Sequence, residues 1–336
     1  MTERHLVALA SSARFEPPGQ APPGWARPGR ARPGRAADLQ RWSIVDESVP
    51  GAVHTGFGIC ALAPGGSLPA RVHSYEEAVF MLSGAVVLQT TDGTHLLQPG
   101  DYALVPVGMP HAWHNDGEVE ARWADMLAPQ PRARRGGDTV RVPDTPLAPR
   151  SPAIPVDVRD PRTRLFGHIE SANMEVGKQS QDLLAASAGM RTALLVYSGI
   201  TVKMMVDSDL GAQLTTMFMV QYEPDGVAGP HDHPFEETYL FLEGEAEAQF
   251  DGQLYRLGAG DVAFAGVGCV HGFRNVGDGP VRWLETQAPQ PPRRHSYRFV
   301  RDWDYLRAAA ETGGTDDVGS DDVGTDEVGT DEEEQR

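Results

Sequence analysis

Apolar runs of strand length, each closed by glycine, proline or an Asp-Gly pair, fill the chain from Ser43 onward. Val53–Leu62 is one such run and stops at Pro64-Gly65-Gly66. ARVHSYEEAVFMLSG follows, and then AVVLQTTDGTHLLQPGDYALVPVGMPHAWHN. β-Branched and aromatic residues dominate these runs and turn residues separate them, which is the pattern of short strands in tight succession. Thr192–Val206, Gln213–Tyr222 and Leu284–Gln287 read the same way, whereas Asp182–Ala188, with Leu183 and Leu184, suggests one short helix. The pattern predicts an all-β chain.

The pattern also occurs twice. Adding 160 to a position in the first half lands on its partner: His73 on His233, Glu77 on Glu237, Gly84 on Gly244, Gly100-Asp101 on Gly260-Asp261. Gly108 maps to Gly268, His111 to His271 and Asn115 to Asn275, and the register runs on through Arg122-Trp123 to APQP at 128–131 and 288–291. One unbroken offset over this distance is an internal duplication.

The chemistry gathers in the second copy, between Pro230 and Asn275. His231 and His233 stand at i and i+2, so side-chain alternation puts both on one face of a strand. Glu237 follows four residues later and His271 returns from a later strand. Three neutral imidazoles and one carboxylate on one wall suit a divalent first-row metal, Mn(II), Fe(II), Ni(II) or Zn(II). Tyr239 and Phe241 share the face of Glu237. Tyr239 is the nearer to the metal and its hydroxyl needs a partner, so it is the expected substrate contact. Cys269 reads as a small buried hydrophobe. The period is too short to fix which way Gln249 and Glu285 point.

These residues resemble the two motifs of the cupin superfamily, G-x5-H-x-H-x3–4-E-x6-G and G-x5-P-x-G-x2-H-x3-N. His231, His233, Glu237 and Gly244 fill the first, with its leading glycine displaced by one at Gly226. Gly260, Gly268, His271 and Asn275 fill the second, with Gly266 in the proline slot, where glycine also serves a tight turn. The resemblance implies two tandem double-stranded β-helix (jelly-roll) barrels, a bicupin, with metal inside a barrel.

The first copy departs at one ligand. Arg71 occupies the slot of His231, so its pocket holds Arg71, His73, Glu77 and His111. Arginine stays protonated and is no ligand. It can pair with Glu77 and take the space of a metal, which makes this barrel a vestigial, metal-free pocket. The rival is a three-ligand site, since two His and a carboxylate hold non-haem iron. One metal per chain is expected, Mn2+ or Fe2+ before Ni2+ or Zn2+.

Composition changes the picture mainly at the ends. Residues 16–35 hold six Pro, four Gly and four Arg, with ARPGR twice in tandem, and read as an extended mobile arm. Eleven acids and one base lie between Glu311 and Arg336, in TDDVG-like repeats, ten of the eighteen net negative charges. Such a tail lacks the apolar residues to fold. The expected organisation is a flexible segment 1–41, a first barrel 42–131, a linker 132–189, a metal-binding barrel 190–310 and a disordered acidic tail 311–336. The net charge of −18 argues against nucleic acid. No apolar run has spanning length, and two Cys make no disulfide framework. A cytoplasmic protein is the default, with a small molecule and further copies of the chain as the partners to look for.

The ligand set resembles that of oxalate decarboxylases, germins, quercetin dioxygenases and acireductone dioxygenases. That implies a dioxygenase-like oxidoreductase acting on a small anionic or enolisable molecule, with Glu237 and Tyr239 catalytic. The alternatives are a hydrolase or lyase resembling ureidoglycine aminohydrolase, whose Glu- and Gln-containing ligand set differs from this one, and a non-catalytic small-molecule-binding bicupin.

Overall fold

The structure, a computed structural model, describes residues 4–17, 39–160, 165–175, 198–291 and 298–299. Strands make up nearly all of its regular structure; the helices among the described residues are single 3-10 turns at Ala10–Ser12, Ala133–Arg135 and Ser171–Met174. No helix among the described residues is long and apolar enough to cross a membrane.

Two curled antiparallel barrels result. In the first, Leu39–Val45, Gly56–Leu62, Ala121–Ala128, Glu76–Ser83 and Asp101–Val105 form one sheet, and Ser67–His73, His111–His114, Val86–Thr90 and Thr94–Leu97 the other. The second barrel repeats this order as one continuous sheet, because Thr216–Asp232 runs unbroken where the first copy has two strands. The offset of 160 holds at the level of register. Arg71 pairs with His111 as His231 pairs with His271. Glu77 lies between Leu127 and Val105 as Glu237 lies between Gln287 and Ala265. Gly84 and Gly244 close the same turn at φ 68° and 73°; a Cβ there would meet the carbonyl oxygens of Glu120 and Pro280 at 2.5 Å, so only glycine fits.

Each barrel has its own interior, built around Trp113 and Trp123 in the first and Phe250, Phe273 and Trp283 in the second. A third cluster joins them: Phe57, Phe80, Leu104 and Met126 of the first barrel pack with Met217, Leu240, Phe264 and Leu284 of the second. Burying side chains of this size contributes about 1.5–3 kcal/mol each. Two carboxylates inside this seam make reciprocal clasps. Glu236 accepts the backbone N–H groups of Val53, His54 and Thr55 at 2.7–3.1 Å. Glu76 accepts those of Gln213, Leu214 and Thr215 at 2.8–3.2 Å. Donors and acceptor are each related by the same offset, so the two copies embrace about a pseudo-twofold axis.

Two short strands cross over as well. His5–Ala8 joins the second barrel beside Val262–Ala265, and Phe166–His168 joins the first beside Asp101–Ala103. The first lies inside the segment 1–41 expected to be flexible. Its apolar stretch supplies the missing edge of a distant sheet, a pairing that local sequence does not signal. Strand structure also begins at Leu39 rather than Ser43. The linker drapes over the first barrel through Thr139–Arg141 and Ile154–Pro155. The remainder of the Pro/Arg-rich arm, the helix expected over Asp182–Ala188 and the acidic tail lie outside the described residues.

Glu236→Ala strips a buried carboxylate from three N–H groups, so it should cost about 3 kcal/mol or more in chemical denaturation. The exposed Glu118→Ala should stay within about 0.5 kcal/mol. A loss below about 1 kcal/mol for Glu236→Ala would show that the clasp is not a structural support.

Candidate metal centre

The four predicted ligands of the second barrel come together. His231 ends the long strand Thr216–Asp232, Glu237 opens Glu236–Glu243, and His271 opens His271–Asn275. One ligand atom from each of His231, His233 and His271 lies within 4.8 Å of the others. All four side chains are buried, His233 and His271 completely. Each imidazole has its Nδ1 against a backbone carbonyl: His231 with Gly229 at 2.8 Å, His233 with Phe235 at 2.8 Å, His271 with Cys269 at 3.0 Å. A carbonyl only accepts, so Nδ1 carries the proton and Nε2 keeps its lone pair. The Nε2 atoms of His233 and His271 then face Glu237 Oε2 at 2.7 and 3.1 Å. A lone pair and a carboxylate oxygen at that separation repel unless a cation lies between them. The donor set therefore fits a divalent metal ion.

The electrostatics point the same way. Burial, reinforced by His271 and His233, holds His231 well below its ordinary pKa. Burial pushes Glu237 upward, but the facing His233 and His271 override it and leave the carboxyl well below its usual range. The pocket favours a neutral His231 and an ionised Glu237, forms a metal requires.

Behind the ligands stands a polar layer. Tyr239 donates its hydroxyl to Glu237 Oε2. Burial, and then the Glu237 charge, raise the phenol well above its ordinary pKa, so it keeps its proton. Gln287 donates Nε2 to Glu237 Oε1 at 2.7 Å. Glu285 is buried, accepts the Trp283 indole N–H at 2.9 Å, and is raised well above the carboxylate range by burial and by Glu237. Glu285 thus points inward, while Gln249 alternates with the buried Ala248 and Phe250. Gln287 gave no sign by itself. The offset would have marked it, because its slot in the first copy is Leu127 and that of Tyr239 is Val79.

The first pocket keeps the fold of the site and loses this layer. One ligand atom each from His73, Glu77 and His111 lies within 4.8 Å of the others, but the Nε2 contacts to Glu77 Oε2 lengthen to 3.5 and 3.9 Å. His73 Nδ1 meets the Thr139 hydroxyl at 2.9 Å instead of a carbonyl. Arg71 does not reach Glu77: no ion pair joins them among the described residues, and Arg71 Nε donates to the Pro69 carbonyl at 3.2 Å. A second cation enters instead. Arg41 grips Asp125, the counterpart of Glu285, with Nη2–Oδ1 at 2.7 Å and Nε–Oδ2 at 3.0 Å, and Cys60 donates to the same carboxylate at 3.3 Å.

These environments predict how the metal-stripped protein responds to acid. Burial pushes His111 down to about 4 and holds His231 lower than usual, while the unfolded chain protonates near 6.5. The stability is fully present above about pH 6.5 and drains as pH falls, for His111 by about 3 kcal/mol on reaching pH 4. The urea midpoint of chelator-treated protein should fall between about pH 7 and pH 5, less steeply in His111→Gln. A flat midpoint over that window would contradict the burial account.

Two stretches match the family model described as Cupin domain, residues 58–127 and 218–286. Among curated proteins the chain is similar to Protein SchB of Streptomyces halstedii, at 31% identity over 88 residues, 26% of this chain and 64% of that protein. It is also similar to tetracenomycin polyketide synthase protein TcmJ of Streptomyces glaucescens, at 29% over 120 residues, 34% of this chain and 80% of that one. Among solved structures, the oxalate decarboxylase–formate complex of Lactobacillus farciminis superposes with a TM-score of 0.56 at 16% identity over 93% of both chains. The salicylate 1,2-dioxygenase of Pseudaminobacter salicylatoxidans gives 0.51 at 16%, over 70% of this chain and 71% of that one. At such identities the structures speak for the fold alone. Two family matches, one on each barrel and related by the same offset as the duplication, make this chain a bicupin of the cupin superfamily.

Proposed function

We propose that the second barrel holds one divalent ion, Mn2+ or Fe2+ by preference, on His231, His233, Glu237 and His271. We further propose that the protein is a metal-dependent, dioxygenase-like oxidoreductase acting on a small anionic or enolisable molecule. The observation that carries this reading is the grouping of three imidazoles, each with Nδ1 on a backbone carbonyl and one ligand atom within 4.8 Å of the others, two of which face the buried Glu237 carboxylate. When bound, such an ion supplies a Lewis acid with open positions for a small oxygen-bearing ligand. Three neutral imidazoles and one carboxylate leave the centre a net positive charge, which attracts an enolate or carboxylate. Tyr239 keeps its proton and offers an O–H beside Glu237. Gln287 fixes the other carboxylate oxygen. The surrounding aromatic wall of Phe250 and Phe273 excludes bulk water.

The relatives supply a direction for the substrate. TcmJ and a second protein, polyketide synthase CurC of Streptomyces cyaneus, 31% identical over 90 residues, both carry polyketide synthase in their names. β-Dicarbonyl and phenolic compounds, the chemistry of polyketide chains, are enolisable and head the panel to test. A second reading, a lyase or hydrolase, is favoured by Glu285, whose buried carboxyl holds a proton close to the ligands.

Elemental analysis separates the pockets. His233→Ala should lower the metal content by one ion per chain relative to wild type. His73→Ala should leave it unchanged and lower stability by about 1–3 kcal/mol. Arg71→His should add an ion by restoring a ligand. Equal losses from His233→Ala and His73→Ala would refute the assignment of the metal to one barrel.

Oxygen consumption with the enol and small-acid panel should accompany product formation, and Tyr239→Phe should lower kcat about tenfold or more. Product formation without oxygen uptake would replace the first reading by the second.

A further inference from the structure

A second cluster of ligand-type side chains lies where the N-terminal strand meets the second barrel. His5, Asp251 and Cys269 each offer one ligand atom, all within 4.8 Å of one another. His5 is 5% exposed; its Nε2 is engaged by the Tyr255 hydroxyl at 2.8 Å, while its Nδ1 is buried with no partner. Cys269 is fully buried, and its Sγ has a weak contact with the Val270 carbonyl at 3.9 Å. Asp251 sits in an Asp-Gly turn with φ 47° and 85° at Asp251 and Gly252, the two-residue hairpin loop that takes positive φ at both positions. Arg4 orients its carboxylate through Nη2–Oδ1 at 2.7 Å and Nε–Oδ2 at 3.0 Å, and the Val270 N–H adds a bond at 3.0 Å.

The barrel architecture does not demand these residues. The offset of 160 places Leu165, Thr91 and Met109 at the same positions of the other copy, an apolar and hydroxyl set with no ligand among them except the thioether. The cluster is also separate from the centre described above. Phe250 stands between the two, stacked on His5 at 5.6 Å and on His271 at 6.1 Å.

We propose that His5, Asp251 and Cys269 form a second metal site, suited to Zn2+, that ties the N-terminal strand to the second barrel. Imidazole, thiolate and carboxylate are the donors Zn2+ takes, at about 2.0–2.3 Å. Small side-chain rotations bring three atoms already within 4.8 Å onto one ion, with a fourth, open position. On binding, the Cys269 thiol proton passes to solvent and its sulfur lone pair to the metal. A carboxylate has enough lone pairs to serve both Arg4 and the ion, and Arg4 then acts as the outer group that holds the ligand in place. Because the ligands come from opposite ends of the folded region, occupancy couples metal binding to docking of the strand.

Cobalt reports on this site without ambiguity, because a thiolate bound to Co2+ gives a near-ultraviolet charge-transfer band that a three-His, one-Glu centre cannot give. Full-length His233→Ala protein, stripped by chelator and titrated with Co2+, should develop this band at one equivalent. Cys269→Ser and His5→Gln, each in that background, should abolish it or weaken Co2+ affinity at least tenfold; Cys60→Ser should retain it. His5→Gln keeps the thiol, so it carries the test if Cys269→Ser fails to fold. No band in the parent, a band surviving Cys269→Ser, or unchanged affinity in His5→Gln would overturn the proposal.

Discussion

Glu76 and Glu236 each gather three backbone N–H groups of the opposite barrel, and the rest of the molecule depends on that exchange. Each is buried in the seam, where an unpaired carboxylate would be costly, so neither barrel presents this face to water without its partner. Each also stands one residue before a pocket carboxylate, Glu77 or Glu237. Strand alternation sends consecutive side chains to opposite faces. The residue that locks the barrels together thus fixes the backbone that aims the pocket carboxylate.

On this common frame the two pockets have diverged in charge rather than in shape. The second surrounds Glu237 with two imidazole nitrogens, a phenol, an amide and a neutral acid. The first exchanges the phenol and amide for Val79 and Leu127, and brings Arg41 onto Asp125. Arg41 and Asp125 cancel each other, so the cation that opposes a divalent ion there is Arg71, in the slot of His231. The same cation and apolar filling set the first pocket apart from the second.

Much of this was legible in the sequence because it repeats. The offset exposed the duplication, the ligands and the departure at Arg71, and alternation placed Tyr239 beside Glu237. What stayed hidden involves partners far apart along the chain. Glu236 reads as an ordinary surface acid next to a ligand until Val53 and Thr55 are brought to it by folding. His5–Ala8 is four residues long and pairs with Val262–Ala265, a contact that no local period announces. Arg71 was the visible cation in the first pocket, yet Arg41 is the one that neutralises an inward carboxylate, because it enters from a neighbouring strand.

The claim that one barrel carries the chemistry and the other carries the frame is tested most directly by anomalous diffraction from crystals grown with Mn2+ or Fe2+. A peak bonded to the Nε2 atoms of His231, His233 and His271 and to Glu237, with none among His73, Glu77 and His111, is the result this account predicts. A peak of equal height in both pockets, or one in the first pocket alone, would contradict it.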